Sequence, residues 1–175
     1  MVVATSLPSI DELNRLSDQD CAAALAPLFE GAPRFLTRLA MARPFTGYAE
    51  LWPMALRIAR AMPELEQLEL INAHPRLGAP PASVSALSFR EQGYDREAAE
   101  IEADRLLAAE LERLNAAYEH RFGFRFCVFV NGRHTRALVP VIAAALDADR
   151  ATEIRRALGD VVAIAADRAR TLSSE

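Results

Sequence analysis

The chain has 175 residues, enough to bury one hydrophobic core without disulfide or metal staples. Its 20 basic and 24 acidic side chains are interleaved and leave a net charge of −4, which provides no basic face for nucleic acid. Cys21 and Cys127 lie far apart in apolar surroundings and suggest neither a disulfide framework nor a metal-ligand spacing, so a reducing, cytoplasmic setting is expected. The opening MVVATSLPSID has no basic stretch leading into a long apolar run, and ALVPVIAAAL is too short to span a bilayer, so a soluble protein without membrane partners is expected.

In chain order the punctuation is helical. Ser9 predicts an N-cap for IDELNRL, Ser17 one for DQDCAAALAPLFE, and Gly31 the stop of the second helix. PRFLTRLAMAR follows. After Pro44 comes TGYAELWPMALRIARAM, whose apolar positions Leu51, Met54, Ala55, Ile58 and Met62 recur at three and four. Pro53 fits this helix only in its first turn or as a kink. The run PELEQLELINA should end at or just before His74, because the residue before a proline is pushed out of the α region. LGAPPASVSAL holds no regular helix until Ser88. One long charged helix is then expected over 89–121, with Ile101, Leu107, Leu111, Leu114 and Tyr118 apolar and Gly123 beyond its end. FGFRFCVFV alternates early, like a strand, and Asn131-Gly132 would suit a hairpin turn. No comparable partner strand exists, so a buried extended or short helical segment is expected. TRALVPVIAAAL and TEIRRALGDVVAIAADRARTL supply two more helices. The expected fold over residues 1–175 is a single all-α domain, a bundle of roughly eight helices.

Three polar residues are set against their local structure. His74 ends a helix, either as a surface cap facing the helix dipole or as a ring presented to a cavity. Glu91 stands three residues after Ser88, the spacing of a capping box with Ser88 as N-cap, so a structural role competes with a chemical one. Arg168 lies in an apolar terminal helix, as a functional cation or as a solvated arginine whose stem covers apolar surface. His120 and His134 fall among charges and read as surface residues. With no carboxylate at ligand spacing to the histidines, no metal site is expected.

HPRLG at 74–78, SFREQ at 88–92 and LNAAYEHRFGFRF at 114–126 together resemble, in order and spacing, the 2-oxo-4-hydroxy-4-carboxy-5-ureidoimidazoline (OHCU) decarboxylase family of urate degradation. The resemblance runs from about Leu51 to the end of the chain. It implies an all-α, cytoplasmic homodimer that needs no cofactor and converts OHCU into (S)-allantoin and carbon dioxide. Urate oxidase and 5-hydroxyisourate hydrolase are its implied pathway neighbours. It places the family's catalytic histidine on His74, its glutamate on Glu91 and its arginine on Arg168. Substrate contacts fall on Pro75, Ser88, Phe89, Arg90 and Gln92, and on the backbone of Phe126, Cys127, Val128, Phe129 and Val130. Two residues depart from the family pattern: Arg125 stands where many members have proline, and Asp167, able to pair with a neighbouring arginine, where many have an apolar residue. The 77–87 loop also lacks a lysine that some relatives carry there.

Cofactor-free decarboxylation asks for fixed donors around the developing negative charge and for one acid or base near neutral pH. His74 suits the latter, with its helix C-terminal position favouring the protonated ring. Glu91 suits the ureido N–H groups or the imidazole, Gln92 a urea-like edge, and Arg168 a carbonyl or carboxylate. Phe124, Phe126 and Phe129 suit the exclusion of water. Two other readings compete. A non-enzymatic helical interaction module would leave His74, Glu91 and Arg168 scattered in space, and a decarboxylase of a related ureido or imidazole substrate would keep both fold and site.

Overall fold

Serines open the first two helices as their sequence positions predict. Ser9 caps α1 (Ile10–Arg15) in a full capping box with Glu12, and Ser17 caps α2 (Asp18–Leu25) by accepting from the Asp20 N–H. The computed structural model describes residues 7–79, 83–92 and 101–174. It continues with α3 (Pro33–Met41), α4 (Tyr48–Ala61), α5 (Glu64–Asn72), α6 (Ala86–Glu91), α7 (Ile101–Phe122), α8 (Val139–Ala145) and α9 (Arg150–Ser174). Nine α-helices, two 3₁₀ turns (Ala26–Phe29 and Thr135–Leu138) and no strand among the described residues make the fold all-α, with one helix more than expected.

The last helix organises the bundle. Ala157, Leu158, Val161 and Ala165 of α9 are fully buried, and α9 packs on α4, on α5 and on the 3₁₀ turn Ala26–Phe29. The buried stripe of α4 is Leu51, Ala55 and Ala59, small enough for two helix axes to come close. On the other side α7 packs on α8. Its stripe of Leu111, Leu114 and Tyr118 is buried as the spacing predicts, with Leu107 partly so; the Ile101 side chain lies outside the described residues.

Four expectations about elements are corrected. Gly31, at φ +78°, follows a 3₁₀ turn instead of ending α2 directly, because Pro27 withholds an N–H and the chain tightens after Leu25. Pro53 is the sixth residue of α4, past the first turn, where it removes one intrahelical bond near a helix end. The charged helix of 89–121 is two helices: α6 stops at Glu91 and α7 is described from Ile101, with 93–100 outside the described residues. Finally, Ser85 and not Ser88 is the N-cap of α6, its hydroxyl accepting from the Ser88 N–H at 3.2 Å.

Residues 123–130 are neither strand nor helix. Gly123, at φ +78°, ends α7 in the left-handed conformation that glycine adopts without strain. The phenylalanines that follow then fold back onto α7. The Tyr118 ring lies 4.5 Å from that of Phe122, 5.5 Å from Phe124 and 5.1 Å from Phe126, and its hydroxyl donates to Glu153 of α9 at 2.7 Å. This aromatic cluster fixes the segment without backbone pairing. Asn131 (φ +51°) and Gly132 (φ +68°) turn the chain, but into a 3₁₀ turn and not a second strand.

Candidate active site

His74 follows α5, and its ring is buried, with 3% of its surface exposed. Its Nδ1 lies 3.3 Å from the Leu70 carbonyl in the last turn of α5, while Nε2 has no hydrogen-bond partner. The tautomer with the proton on Nδ1 satisfies the helix carbonyl and leaves Nε2 as a bare acceptor. Burial, and after it the positive charge of Arg168, bring the imidazole down to about 4 against the opposing pull of Glu30 and the Leu70 carbonyl. Of the two readings of His74 the structure has the ring at the cavity and not the surface cap, and the protonated ring is corrected. Desolvation of the cation outweighs the helix dipole, and the ring is neutral at neutral pH.

The strap 72–79 that carries His74 is held from every side. Arg125 donates to the Asn72 carbonyl at 2.9 Å and the His74 carbonyl at 3.3 Å, and its own N–H donates to the Asn72 side chain at 2.8 Å. Gln92 accepts from the Gly78 N–H at 2.8 Å and donates to the Arg76 carbonyl at 3.3 Å, while Asn115 donates to the Leu77 carbonyl at 2.9 Å. Arg76 forks onto Glu119, with both bonds at 2.6 Å. Gln92, expected to suit a urea-like edge, thus lines the cavity with its amide also bonded to the strap. Arg125 caps the carbonyl end of α5, satisfying acceptors that the helix leaves over.

Behind the strap lies a buried charge cluster. Arg168 is buried, and its guanidinium donates to Glu91 through Nε (2.6 Å) and Nη2 (2.9 Å), to Glu30 (2.8 Å), to the Ser88 hydroxyl (3.0 Å) and to the Pro27 carbonyl (3.0 Å). The solvated-arginine alternative is thereby excluded. Ser88 donates its own hydrogen bond to Glu30 at 2.7 Å, so its hydroxyl belongs to this cluster, and the capping box of Ser88 and Glu91 does not form. Asp167 pairs with Arg170 at 2.7 Å and leaves Arg168 to its two carboxylates. Glu30 escaped the sequence reading: nothing local in LFEGAP marks it. Burial raises its carboxyl, but Arg168 and the hydroxyls of Ser88 and Ser85 overcome that and hold it below its ordinary value.

These groups meet at one small cavity of about 70 Å³. His74 and Pro75 form one wall, Ser88, Glu91 and Gln92 the next, and Phe126 to Val130 the third, closed by Asn131, Gly132, Ile164 and Asp167. Arg168 stands behind Glu91 and does not line the space. Phe89 is half-buried and Arg90 exposed, and neither reaches it. His120 and His134 are exposed, and no group of side chains among the described residues has the arrangement of a metal site.

The family model for OHCU decarboxylase matches residues 14–170. The chain belongs to the OHCU decarboxylase family. It is 32% identical over 160 residues to 2-oxo-4-hydroxy-4-carboxy-5-ureidoimidazoline decarboxylase of Haloferax volcanii, covering 90% of this chain and 91% of that one. It is also 32% identical over 157 residues to the uric acid degradation bifunctional protein PucL of Bacillus subtilis, covering 90% of this chain but only 31% of that protein, so it matches about a third of the longer relative. A crystal structure of OHCU decarboxylase in the presence of (S)-allantoin has the same fold, with a TM-score of 0.68 at 20% identity over 91% of this chain and all of that one. In this OHCU decarboxylase family member no described helix is long and apolar enough to cross a membrane.

Proposed function

We propose that the chain decarboxylates OHCU to (S)-allantoin and carbon dioxide, with His74 as its acid–base group. One observation carries the reading: a buried, neutral imidazole with an unpartnered Nε2 on the wall of a small cavity that it shares with a carboxylate fixed by a buried arginine. The interaction-module alternative required His74, Glu91 and Arg168 to be scattered; instead His74 and Glu91 line one cavity and Arg168 stands behind Glu91.

In the substrate, C4 bears both hydroxyl and carboxylate beside the C5=N imine. As the bond from C4 to the carboxylate breaks, its electron pair forms C4=C5 and the imine nitrogen takes a proton. The C4 hydroxyl then loses its proton, C4 becomes a carbonyl, and C5 is protonated. One proton is taken up overall and carbon dioxide leaves. A neutral Nε2 is the form that can accept the hydroxyl proton. Glu91, held bidentately by Arg168, accepts N–H groups of the ureido arm and ring in a fixed direction. Arg168 acts through Glu91. Protonation of C5 from a single wall of the cavity makes the product one-handed, and the apolar flank of Phe126, Phe129 and Ile164 favours loss of charge as the carboxylate becomes carbon dioxide.

The same reading takes the protein as a cytoplasmic homodimer without a cofactor, acting after urate oxidase and 5-hydroxyisourate hydrolase. Its support is the family resemblance, and light scattering on the purified protein checks the dimer. The reaction is tested by circular dichroism of urate mixed with those two enzymes, adding wild type or His74→Ala last. Wild type should bring up the (S)-allantoin signal quickly, and the variant, if folded, should be slower by about a hundredfold or more. A folded wild type that gives no acceleration sinks the reading. Turnover of another ureido heterocycle in its place would favour the related-substrate alternative, for which Arg125 and the 77–87 loop are this chain's own departures.

A further inference from the structure

The third wall of the cavity, 126–130, has no secondary structure to fix it, yet its backbone must keep its place if it is to read a ligand. α9 supplies the fixing groups. Arg156 donates to the Cys127 carbonyl at 2.9 Å and to Asp160 at 2.7 Å, both through Nη1, and its guanidinium lies 4.8 Å from the centre of the Phe126 ring. Asp160, one turn further along α9, takes that Nη1 bond and so holds the guanidinium over the Cys127 carbonyl. From the other end Arg133 donates to the Phe129 carbonyl at 2.6 Å and the Val130 carbonyl at 3.0 Å. The Cys127 and Phe129 carbonyls are thus engaged. The N–H and C=O of Val128, between them, have no partner among the described residues, and Val128 lines the cavity.

Arg156 is itself held. Its Nε and Nη2 donate to Glu153 at 2.9 and 2.8 Å, and Glu153 accepts from Tyr118 at 2.7 Å, which ties the guanidinium to the aromatic cluster under the wall. An arginine can grip two carboxylates and a carbonyl at once because its donors are spread over a rigid plane; a lysine cannot.

We propose that Arg156 and Asp160 are positioning residues of the site: Arg156, kept in place by Asp160, holds the Cys127 carbonyl against α9 and so presents the Val128 N–H and C=O to the ligand as a fixed amide edge. That edge matches a cyclic urea or ureido group, which offers one N–H and one C=O side by side. The inference rests on the decarboxylase reading for the identity of the ligand, but not for the pinning of the wall.

The test compares wild type with Arg156→Lys and Asp160→Asn in two measurements: amide hydrogen exchange across the peptide containing 126–130, and KM and kcat for OHCU. With helix content unchanged by circular dichroism, both variants should exchange faster in that peptide and nowhere else in the cavity walls. KM should rise by about tenfold, the loss of roughly one ligand hydrogen bond, with a much smaller fall in kcat. Unchanged exchange overturns the proposal, as does faster exchange with wild-type KM. A fall in kcat alone does so too, since it would mean a general disturbance and not a misplaced binding edge. If Arg156→Lys fails to fold, Asp160→Asn decides, because it leaves the bonds among Arg156, Glu153 and Tyr118 in place. If the wild type is inert on OHCU, the decarboxylase reading falls and the exchange measurement alone decides the pinning.

Discussion

Two carboxylates share Arg168, and they are not equivalent. Glu91 lines the cavity, whereas Glu30 touches it only through Arg168 and Ser88. Glu30→Gln leaves Arg168 with one charged partner and should lower stability by about 1–3 kcal/mol in urea unfolding. Arg168→Gln leaves two part-buried carboxylates without their cation and should lower it by more than Glu30→Gln does, by about 2–4 kcal/mol. Because Arg168 holds Glu91 through two bonds, Glu30→Gln should also keep most activity while Arg168→Gln should not. Equal losses in both would show that the cluster works as one unit. Little of this was legible in the sequence. His74 could be singled out because Pro75 announces a helix end on its own, but the burial of Arg168 depends on partners 77 and 138 residues away. Glu30 reaches them from a left-handed turn at φ +52°, a conformation that no neighbouring residue type advertises.

At the scale of elements, the site is a strap and a wall that lack regular structure, each clamped by side chains from helices. Local signals found the helices around them, since Ser9, Ser17 and Gly123 act on their own neighbours. The same signals misassigned Ser88 because Ser85, three residues before it, offers the same cap, and the choice between them is made by Glu30 and Arg168, which want the Ser88 hydroxyl. The strap has one position where close packing and backbone strain coincide. Gly78 has φ +76°, and a Cβ placed there would lie 2.9 Å from Cδ1 of Leu111 on α7. Gly78→Ala must therefore push on a buried leucine and adopt a disfavoured backbone, at a cost of about 1–3 kcal/mol. Because Gln92 accepts from the Gly78 N–H, the displaced strap should also loosen Gln92. Thermal unfolding and kcat should fall together, and a variant as stable and active as wild type would show that the strap gives way without carrying His74 with it.

Across the whole molecule, the chemistry of the site sets a direction for stability against pH. His74 is held neutral in the fold, at about 4, while in the unfolded chain it titrates near 6.5. Its folded value is the lower one, so between 6.5 and 4 the unfolded state binds a proton that the folded state refuses. The fold is undiminished by this residue above 6.5 and loses stability as pH falls through that window, by up to about 1.4 kcal/mol per pH unit and about 3 kcal/mol in all. Glu30 acts lower down: its carboxyl is depressed in the fold, so its contribution is complete above the ordinary value of 4.5 and goes only as pH drops below it. The two windows separate in a comparison of wild type with His74→Asn by urea unfolding at a series of pH values. Groups common to both proteins cancel in the difference, and an asparagine that packs poorly adds only a constant. The difference in unfolding free energy should be flat above pH 6.5 and should shift against the wild type steadily down to about pH 4.5. A difference independent of pH across that range would mean that the ring takes its proton as easily in the fold as out of it, and with that the case for a neutral Nε2 poised to accept the substrate's hydroxyl proton would fail.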